Sequence, residues 1–365
     1  MLKNQSDDDS EEWQDLLASR TLQKTTDQVP VTAKNRTARS WQIMTGCLLV
    51  ALTMFAIVIE KRPISSDKQS TNSNHHVELT CPPQVSHQQS ENDINGTFEE
   101  MYMDSTQQIA ANLTAYLDTF RNRKYDAWGK SYNSVKEGMH HWKSRRFPTN
   151  LKNGDTIYES ACGIGLNLFM TAEILQENGL SDITVYGNEY VQESSDLSNR
   201  ILDEMMPTVN SHKGSVCTGD STDLYFVPNN AFDLVFTGYI APMLDPLHLD
   251  IDTDESLSHY RKLCKAEQGD WKGKLLSAIA QQKQEDWYGS WVGEMVRIAK
   301  PGAPVIVEQV SAPYCKLVSG WGGVDRSFWK QAVAKYNWDV DVDSIESEAD
   351  VLFTKRYHIF MRKNV

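Results

Sequence analysis

Residues 156–167 read T-I-Y-E-S-A-C-G-I-G-L-N, and this stretch decides the fold class. Its apolar start, followed by Glu159, is typical of a short buried strand. Gly163 and Gly165 then predict a tight loop, and apolar residues recur at helical spacing until Gly179. A strand that turns into a helix through glycines brings backbone N–H groups and a helix N-terminus close to a ligand. Because a simple tight turn has the same pattern, the stretch predicts a nucleotide site only together with the strands that follow.

Three further strands are predicted downstream, and each leads into acidic or polar residues. Strands that alternate with helices at this spacing imply right-handed crossovers and a parallel sheet. Ligands of such sheets bind outside the carboxyl ends of the strands. We therefore expect the strand ends to form one site. The residues at these ends are Glu189 and Tyr190 after the second strand, Gly219, Asp220 and Ser221 after the third, and Thr237 after the fourth.

The ordered set of motifs resembles the class I S-adenosylmethionine-dependent methyltransferases. The motifs are Glu159-x-Ala161-Cys162-Gly163-x-Gly165-x-Asn167, Gly187-x-Glu189, Gly219-Asp220-Ser221 and Phe232-Asp233-Leu234-Val235. Residues 300–308 look like the family's turn into its fifth strand, and 125–132 are similar to the segment that many members carry ahead of the core. The resemblance implies an α/β fold over 151–365, with a Rossmann-like, seven-stranded, mostly parallel sheet, helices on both faces and an antiparallel C-terminal hairpin.

The resemblance also implies S-adenosyl-L-methionine as cofactor. Glu159 and the loop backbone would hold its methionine part, and Glu189 would bind the ribose hydroxyls. Asp220 and Ser221 would contact the adenine, although Asp220 also fits a loop cap and Glu189 also fits an acid favoured at a helix start. Ala161 departs from the family, which usually has glycine there. The full set of cofactor-binding candidates is Glu159, Ala161, Cys162, Gly163, Gly165, Asn167, Glu189, Tyr190, Asp220, Ser221 and Thr237.

The acceptor side is predicted in residues 239–285, a long insertion after the fourth strand, because substrate is selected in loops of this kind. Methyl transfer from a sulfonium mainly requires alignment and exclusion of water. Tyr239 is the candidate for a residue near the transferred methyl group, and His248 is the candidate base, with Asp245 and Glu308 as weaker candidates. No metal site is expected, because the acids of the insertion do not match a calcium loop and the cysteines lack zinc spacing.

The chain ahead of this domain predicts a membrane anchor. Residues 1–40 are polar and charged, which is typical of a disordered tail. Residues 41–60 contain an uncharged run, 43–59, of 17 residues, near the roughly 17–25 residues that span a bilayer. Residues 61–97 are rich in Ser, Asn, Gln and His and predict a flexible stem. Residues 98–150 predict a helical segment that is either a lid over the ligand or a helix packed on the domain.

The orientation of the anchor follows from its flanks. Lys and Arg are more numerous before the span than just after it, which favours a cytoplasmic tail and a luminal domain in the endomembrane system (ER or Golgi). The opposite orientation stays open. If the domain is luminal, the sequons at Asn95 and Asn112 would be glycosylation acceptors. An oxidising lumen favours disulfides, and five cysteines after the span leave at least one thiol free or paired between chains: Cys81, Cys162, Cys217, Cys264 and Cys315.

Composition and motifs together leave three hypotheses for the function. The net charge of −13 argues against nucleic acid as a partner. The first hypothesis is a membrane-tethered methyltransferase acting on a small molecule or a glycan. The second is a non-catalytic module that binds the cofactor. The third is an NAD(P)-dependent oxidoreductase, which is disfavoured because the third glycine of a GxGxxG motif would fall at Leu168.

Overall fold

The structure is a computed structural model of the 365-residue chain. It describes residues 77–82, 114, 117–118, 121–122, 126–127, 130–238, 269, 271–311, 323–351 and 356–365. Several predicted features lie outside these residues, namely the tail, the anchor, both sequons, Tyr239, Asp245 and His248. In the ranges that are described, no helix has the length and apolar character needed to cross a bilayer.

Seven strands form one mixed sheet. In chain order they are β1 (Thr156–Ser160), β2 (Thr184–Glu189), β3 (His212–Thr218), β4 (Leu234–Thr237), β5 (Pro304–Ser311), β6 (Val340–Ala349) and β7 (Arg356–Lys363). Across the sheet their order is β3-β2-β1-β4-β5-β7-β6. Strands β1 to β5 pair in parallel, whereas β7 pairs antiparallel with β5 and β6. The predicted Rossmann-like sheet with an antiparallel C-terminal hairpin is therefore confirmed.

Helices cover both faces of the sheet. They are α1 (Tyr132–Arg146), α2 (Leu166–Glu177), α3 (Gln192–Met205), α4 (Trp271–Ile298) and α5 (Phe328–Lys335). Helices α1 to α3 pack in a core that includes Ile157, and α4 and α5 pack in a second core that includes Tyr158. Because consecutive side chains of a strand point to opposite faces, a strand between two helical layers is buried along its whole length. Every residue of β1 is indeed buried.

The strand order determines where a ligand is expected to bind at the edge of the sheet. From β1 the chain passes to β2 and then β3 on one side, and it returns to β4 on the other side of β1. The two directions diverge at β1, so the loops that leave β1 and β4 separate there. This topology predicts a ligand site at the carboxyl ends of the strands. The switch point is where the residues after Ser160 and Thr237 leave the sheet.

Two predicted segments overlap helices that the structure describes. The described part of the predicted lid, 98–150, contains α1, whose side chains Tyr132, Trp142 and Lys143 are buried in the domain. This helix is packed on the domain, and a lid role for the rest of the segment stays a prediction. The predicted insertion 239–285 overlaps α4, which begins at Trp271, whereas the fully buried side chains that α4 contributes to the second core begin at Tyr288.

Residues 77–82 lie in the predicted flexible stem, yet they are attached to the sheet. Val77 and Leu79 are partly buried against the second core, and the Val77 N–H donates a hydrogen bond of 3.1 Å to the Tyr186 hydroxyl. A disulfide joins Cys81 to Cys217 near the end of β3. Val77 and Leu79 bury apolar surface against the sheet. The polar composition of the rest of the stem gave no sign of this contact. The segment is therefore part of the folded domain.

Candidate functional site

The loop between β1 and α2 adopts a backbone that favours glycine. Ala161, Gly163 and Gly165 all have positive φ, at 56°, 55° and 80°. Gly165 is the N-cap residue of α2, and no side chain caps this helix start. The first N–H groups of a helix have no partner within the helix and form a site for polar or anionic groups. The predicted loop and helix start are confirmed, and they present backbone donors at the carboxyl edge of the sheet.

Glu189, at the end of β2, holds this loop from the side. Its Oε2 accepts a hydrogen bond of 2.8 Å from the Gly163 N–H, and its Oε1 accepts one of 3.3 Å from the Val191 N–H. Burial raises the pKa of Glu189, and the N–H donors, that of Gly163 foremost, act in the opposite direction. The next side chain, Tyr190, is 48% exposed. A desolvated carboxylate beside an exposed ring is suited to hydroxyl groups and to a flat base.

Asn188 joins the ends of β1, β2 and β3, and the sequence analysis did not identify it. Its amide nitrogen donates to Ser221 Oγ (2.9 Å) and to the Gly219 carbonyl (3.0 Å), and its oxygen accepts from the Tyr158 hydroxyl (3.1 Å). Asp220 is exposed, and its Oδ1 accepts from the N–H and the hydroxyl of Thr222 (2.8 and 2.9 Å). These contacts fit the loop-cap alternative for Asp220, and its adenine contact stays a prediction.

Glu159, at the end of β1, lies in a buried polar cluster. The Asn167 amide donates to Glu159 Oε1 (2.6 Å) and to Glu308 Oε2 (3.3 Å). The Lys143 ammonium forms an ion pair of 2.8 Å with Glu308 Oε1. Glu308, a weak candidate base, is therefore a carboxylate with a buried cationic partner. A Cβ added at Gly238 would lie 3.0 Å from both Glu159 and Asn167, so β4 approaches the cluster closely.

One oxygen of Glu159 remains free in this cluster. Among the described residues, Glu159 Oε2 and Asn167 Oδ1 are buried and have no hydrogen-bond partner. Burial raises the pKa of Glu159 to about 8, and the nearby Lys143 ammonium opposes this rise. A buried acceptor without a partner costs free energy unless a ligand or water satisfies it. The arrangement is suited to a cationic group that carries N–H donors.

The side chains of two further candidates, Cys162 and Thr237, are buried. Cys162 is buried, and burial raises its thiol pKa, so the thiol is a poor nucleophile. Its N–H donates to the Asn188 carbonyl (2.9 Å). Thr237 is fully buried, and its hydroxyl donates to the Gly238 carbonyl (3.2 Å). Within the described residues, no three His, Cys, Asp or Glu side chains are grouped so that they could hold a metal ion.

Replacement of Gly165 with alanine is expected to destabilise the protein by about 2–5 kcal/mol. A Cβ there would lie 2.6 Å from Ser198 Oγ and 3.2 Å from Leu202, so α2 and α3 would have to separate. Gly179→Ala is the matched control, because Gly179 has φ of +83° but nothing within 4 Å of the added Cβ. It is expected to cost only the backbone strain, about 1–2 kcal/mol. Urea unfolding measures both variants, and equal losses would contradict the packing role of Gly165.

Comparisons with known proteins give fold neighbours only. No protein-family model matches the chain, and no curated protein matches it. Magnesium protoporphyrin IX methyltransferase from Synechocystis PCC 6803, solved with bound SAM, is 11% identical over 63% of this chain and 79% of its own, with a TM-score of 0.36. Geranyl diphosphate C-methyltransferase from Streptomyces coelicolor A3(2), in complex with Mg²⁺, geranyl diphosphate and S-adenosyl-L-homocysteine, is 12% identical over 64% and 81%, with a TM-score of 0.39. A SAM-dependent methyltransferase from Aquifex aeolicus is 11% identical over 63% and 97%, with a TM-score of 0.34.

Proposed function

We propose that the chain is a membrane-tethered methyltransferase that uses S-adenosyl-L-methionine and acts on a small molecule or a glycan. The observation that carries the proposal is the meeting of two buried carboxylates at one edge of the sheet. Glu189 clamps the glycine loop, and Glu159 offers an oxygen that has no partner among the described residues. With the strand order of the sheet, this arrangement supports a site for an adenosyl group that carries an amino acid.

The residues present fit the cofactor group by group. The free oxygen of Glu159 suits the ammonium of its methionine part, and the N–H groups at the start of α2 suit the carboxylate. Glu189 suits the two ribose hydroxyls as an acceptor. Ser221 is fixed by Asn188 near the same edge, and Tyr190 offers an exposed ring, so these two suit the adenine.

The chain contributes orientation and exclusion of water. When bound, S-adenosylmethionine supplies a methyl group already activated on a sulfonium sulfur. The loop and the carboxylates hold the donor, and the ends of β4 and β5 provide the side from which an acceptor approaches. Tyr239 and His248 follow β4 in the chain and stay candidates for contact with the acceptor and for proton removal.

We also propose that the domain faces the lumen. The disulfide between Cys81 and Cys217 supports this orientation, because structural disulfides persist in oxidising compartments and are rare in the cytosol. The excess of Lys and Arg before residues 43–59 points the same way. Protease protection of the C-terminus in sealed microsomes tests the orientation. Digestion without detergent would contradict it.

Calorimetric titration of the full-length chain in detergent tests the cofactor. Saturable binding of S-adenosylhomocysteine is expected, with no binding of NAD⁺ or NADP⁺. The oxidoreductase alternative needs a third glycine where the chain has Leu168, which is fully buried in α2. Binding of NAD⁺ in place of S-adenosylhomocysteine would support that alternative. Absence of binding by all three would refute a cofactor site.

A further inference from the structure

Lys143 of α1 is a buried cation inside the domain. Its side chain is 1% exposed, and its ammonium pairs with Glu308 (2.8 Å) and donates to Thr171 Oγ1 (2.9 Å). It also lies over the rings of Phe147 and Phe236, at 4.7 and 4.6 Å from their centroids. A buried charge is expensive and is kept only with partners. The neighbours satisfy Lys143 on several sides, and they connect it to the candidate site.

The connection to Glu159 runs through two side chains. Glu308 accepts from the Asn167 amide (3.3 Å), and the same amide donates to Glu159 (2.6 Å). The cluster therefore holds one ammonium and two carboxyl groups in a buried space. Its formal charge is −1 when both carboxyl groups are ionised, so a bound cation would balance it. Removal of Lys143 makes the charge beside Glu159 more negative, and removal of Glu308 makes it less negative.

We propose that Lys143 is a positioning residue for cofactor binding, which acts through Glu308 and Asn167 to favour the ionised form of Glu159. This inference rests on the proposed function, because the ionised carboxylate is the form that binds the ammonium of the cofactor's methionine part. Lys143 does not itself contact the ligand in this scheme. It sets the charge state of the residue that does.

The groups that face Glu159 determine the sign of the pH dependence. Burial raises the pKa of Glu159 to about 8; the Lys143 charge and the hydrogen bonds from Asn167 and the Gly238 N–H lower it, and Glu308 raises it. The thiol of Cys162, whose own pKa is raised by burial, adds no charge near neutrality. A bound ammonium lowers the pKa of Glu159, so binding below pH 8 releases a proton. Affinity should therefore rise with pH up to about pH 8, and it should fall again where the ligand's own α-amino group loses its proton.

The experiment measures S-adenosylhomocysteine binding to the full-length chain by calorimetry between pH 6 and pH 9. Buffer pairs of different ionisation enthalpy report the protons released on binding. The midpoint is the pH at which the rise in affinity ends, which reports the pKa of Glu159 in the free protein. At pH 7, Lys143→Met is expected to bind about tenfold more weakly, with this midpoint about one unit higher. Glu308→Gln is expected to bind about fivefold more tightly, with a midpoint about one unit lower. A merely structural role would not move the midpoints in opposite directions.

Two further variants complete the test. Lys136→Met, on the same helix, removes a cation that pairs with Glu173 (3.2 Å) and Glu177 (2.6 Å) and should leave the midpoint unchanged. Glu159→Gln should bind weakly at every pH and release no proton. If Lys143→Met does not fold, the double variant Lys143→Met/Glu308→Gln, which removes the whole ion pair, takes its place. Its midpoint should lie above that of Glu308→Gln, and equal midpoints in these two variants would overturn the role of Lys143. If the wild type binds but the midpoints of the two variants are unshifted or shift equally, only the role of Lys143 is overturned. If the wild type does not bind, the proposed function is overturned as well.

Discussion

Replacement of Glu189 with alanine is expected to weaken the binding of S-adenosylhomocysteine by about 100-fold or more. The buried carboxylate accepts the Gly163 and Val191 N–H groups, so it anchors the glycine loop, and in the proposed function it also accepts from the ribose hydroxyls. A hydrogen bond to a charged group contributes roughly 1.5–3 kcal/mol. Loss of two ribose contacts alone therefore corresponds to about two to four orders of magnitude in affinity. Calorimetry on the full-length chain measures the change.

Two variants separate ligand contact from loop anchoring. Glu189→Gln keeps an oxygen that can accept from the Gly163 N–H, so it is expected to lose only about tenfold in affinity. Glu193→Ala removes an exposed acid in the first turn of α3 and should bind like the wild type. The 2′-deoxy analogue of the ligand should bind more weakly to the wild type, with a smaller difference in Glu189→Ala. If Glu189→Ala binds normally, the residue is only an acid favoured at a helix start.

The fold was predictable because its signals are local. The strand, glycine loop and apolar spacing in 156–167 determine β1, the turn and α2 within one stretch of chain. Glu189 could be placed at the carboxyl edge because an acid at the end of a strand marks that edge. The alternation of strands and helices then implied the parallel pairing. Each of these inferences needs only neighbours in sequence.

The buried cluster was not predictable because it depends on distant side chains. Lys143 stands between a tryptophan and a serine on a helix with many charged residues, and nothing local shows that its ammonium is buried. From the sequence, Glu308 was only a weak candidate base. Their ion pair appears once α1 is packed beside β5. Asn188 was missed for the same reason, since its three partners come from two other segments, β1 and the loop after β3.

Ala161 illustrates a local departure with a structural cost. The family resemblance implies glycine at this position, and alanine is the next smallest residue. The structure shows that size is not the only requirement, because Ala161 has a φ of 56°. A non-glycine residue in the left-handed region costs roughly 1–2 kcal/mol. The loop keeps this conformation because the Cys162 N–H and the Gly163 N–H are both held by β2, through the Asn188 carbonyl and Glu189.

Loss of the disulfide is expected to be the most destabilising change in the domain. The bond between Cys81 and Cys217 closes a loop with a sequence separation of 136 residues. The chain-entropy relation gives about 5 kcal/mol for a loop of this length, because the bond restricts the unfolded chain. Cys81→Ser and Cys217→Ser should therefore each lower the free energy of unfolding by about that amount. Urea unfolding of the full-length protein under oxidising conditions measures the loss.

Reductant provides the internal comparison for this prediction. Dithiothreitol should lower the stability of the wild type to that of the serine variants and leave the variants unchanged. Cys162→Ser is the matched control, since Cys162 is buried and carries a free thiol, and it should stay sensitive to reductant. A wild type that is indifferent to reductant would show that Cys81 and Cys217 are not joined. Val77 and Leu79 would then rely on their apolar contacts and the Tyr186 hydrogen bond alone, and the main support for a luminal domain would be lost.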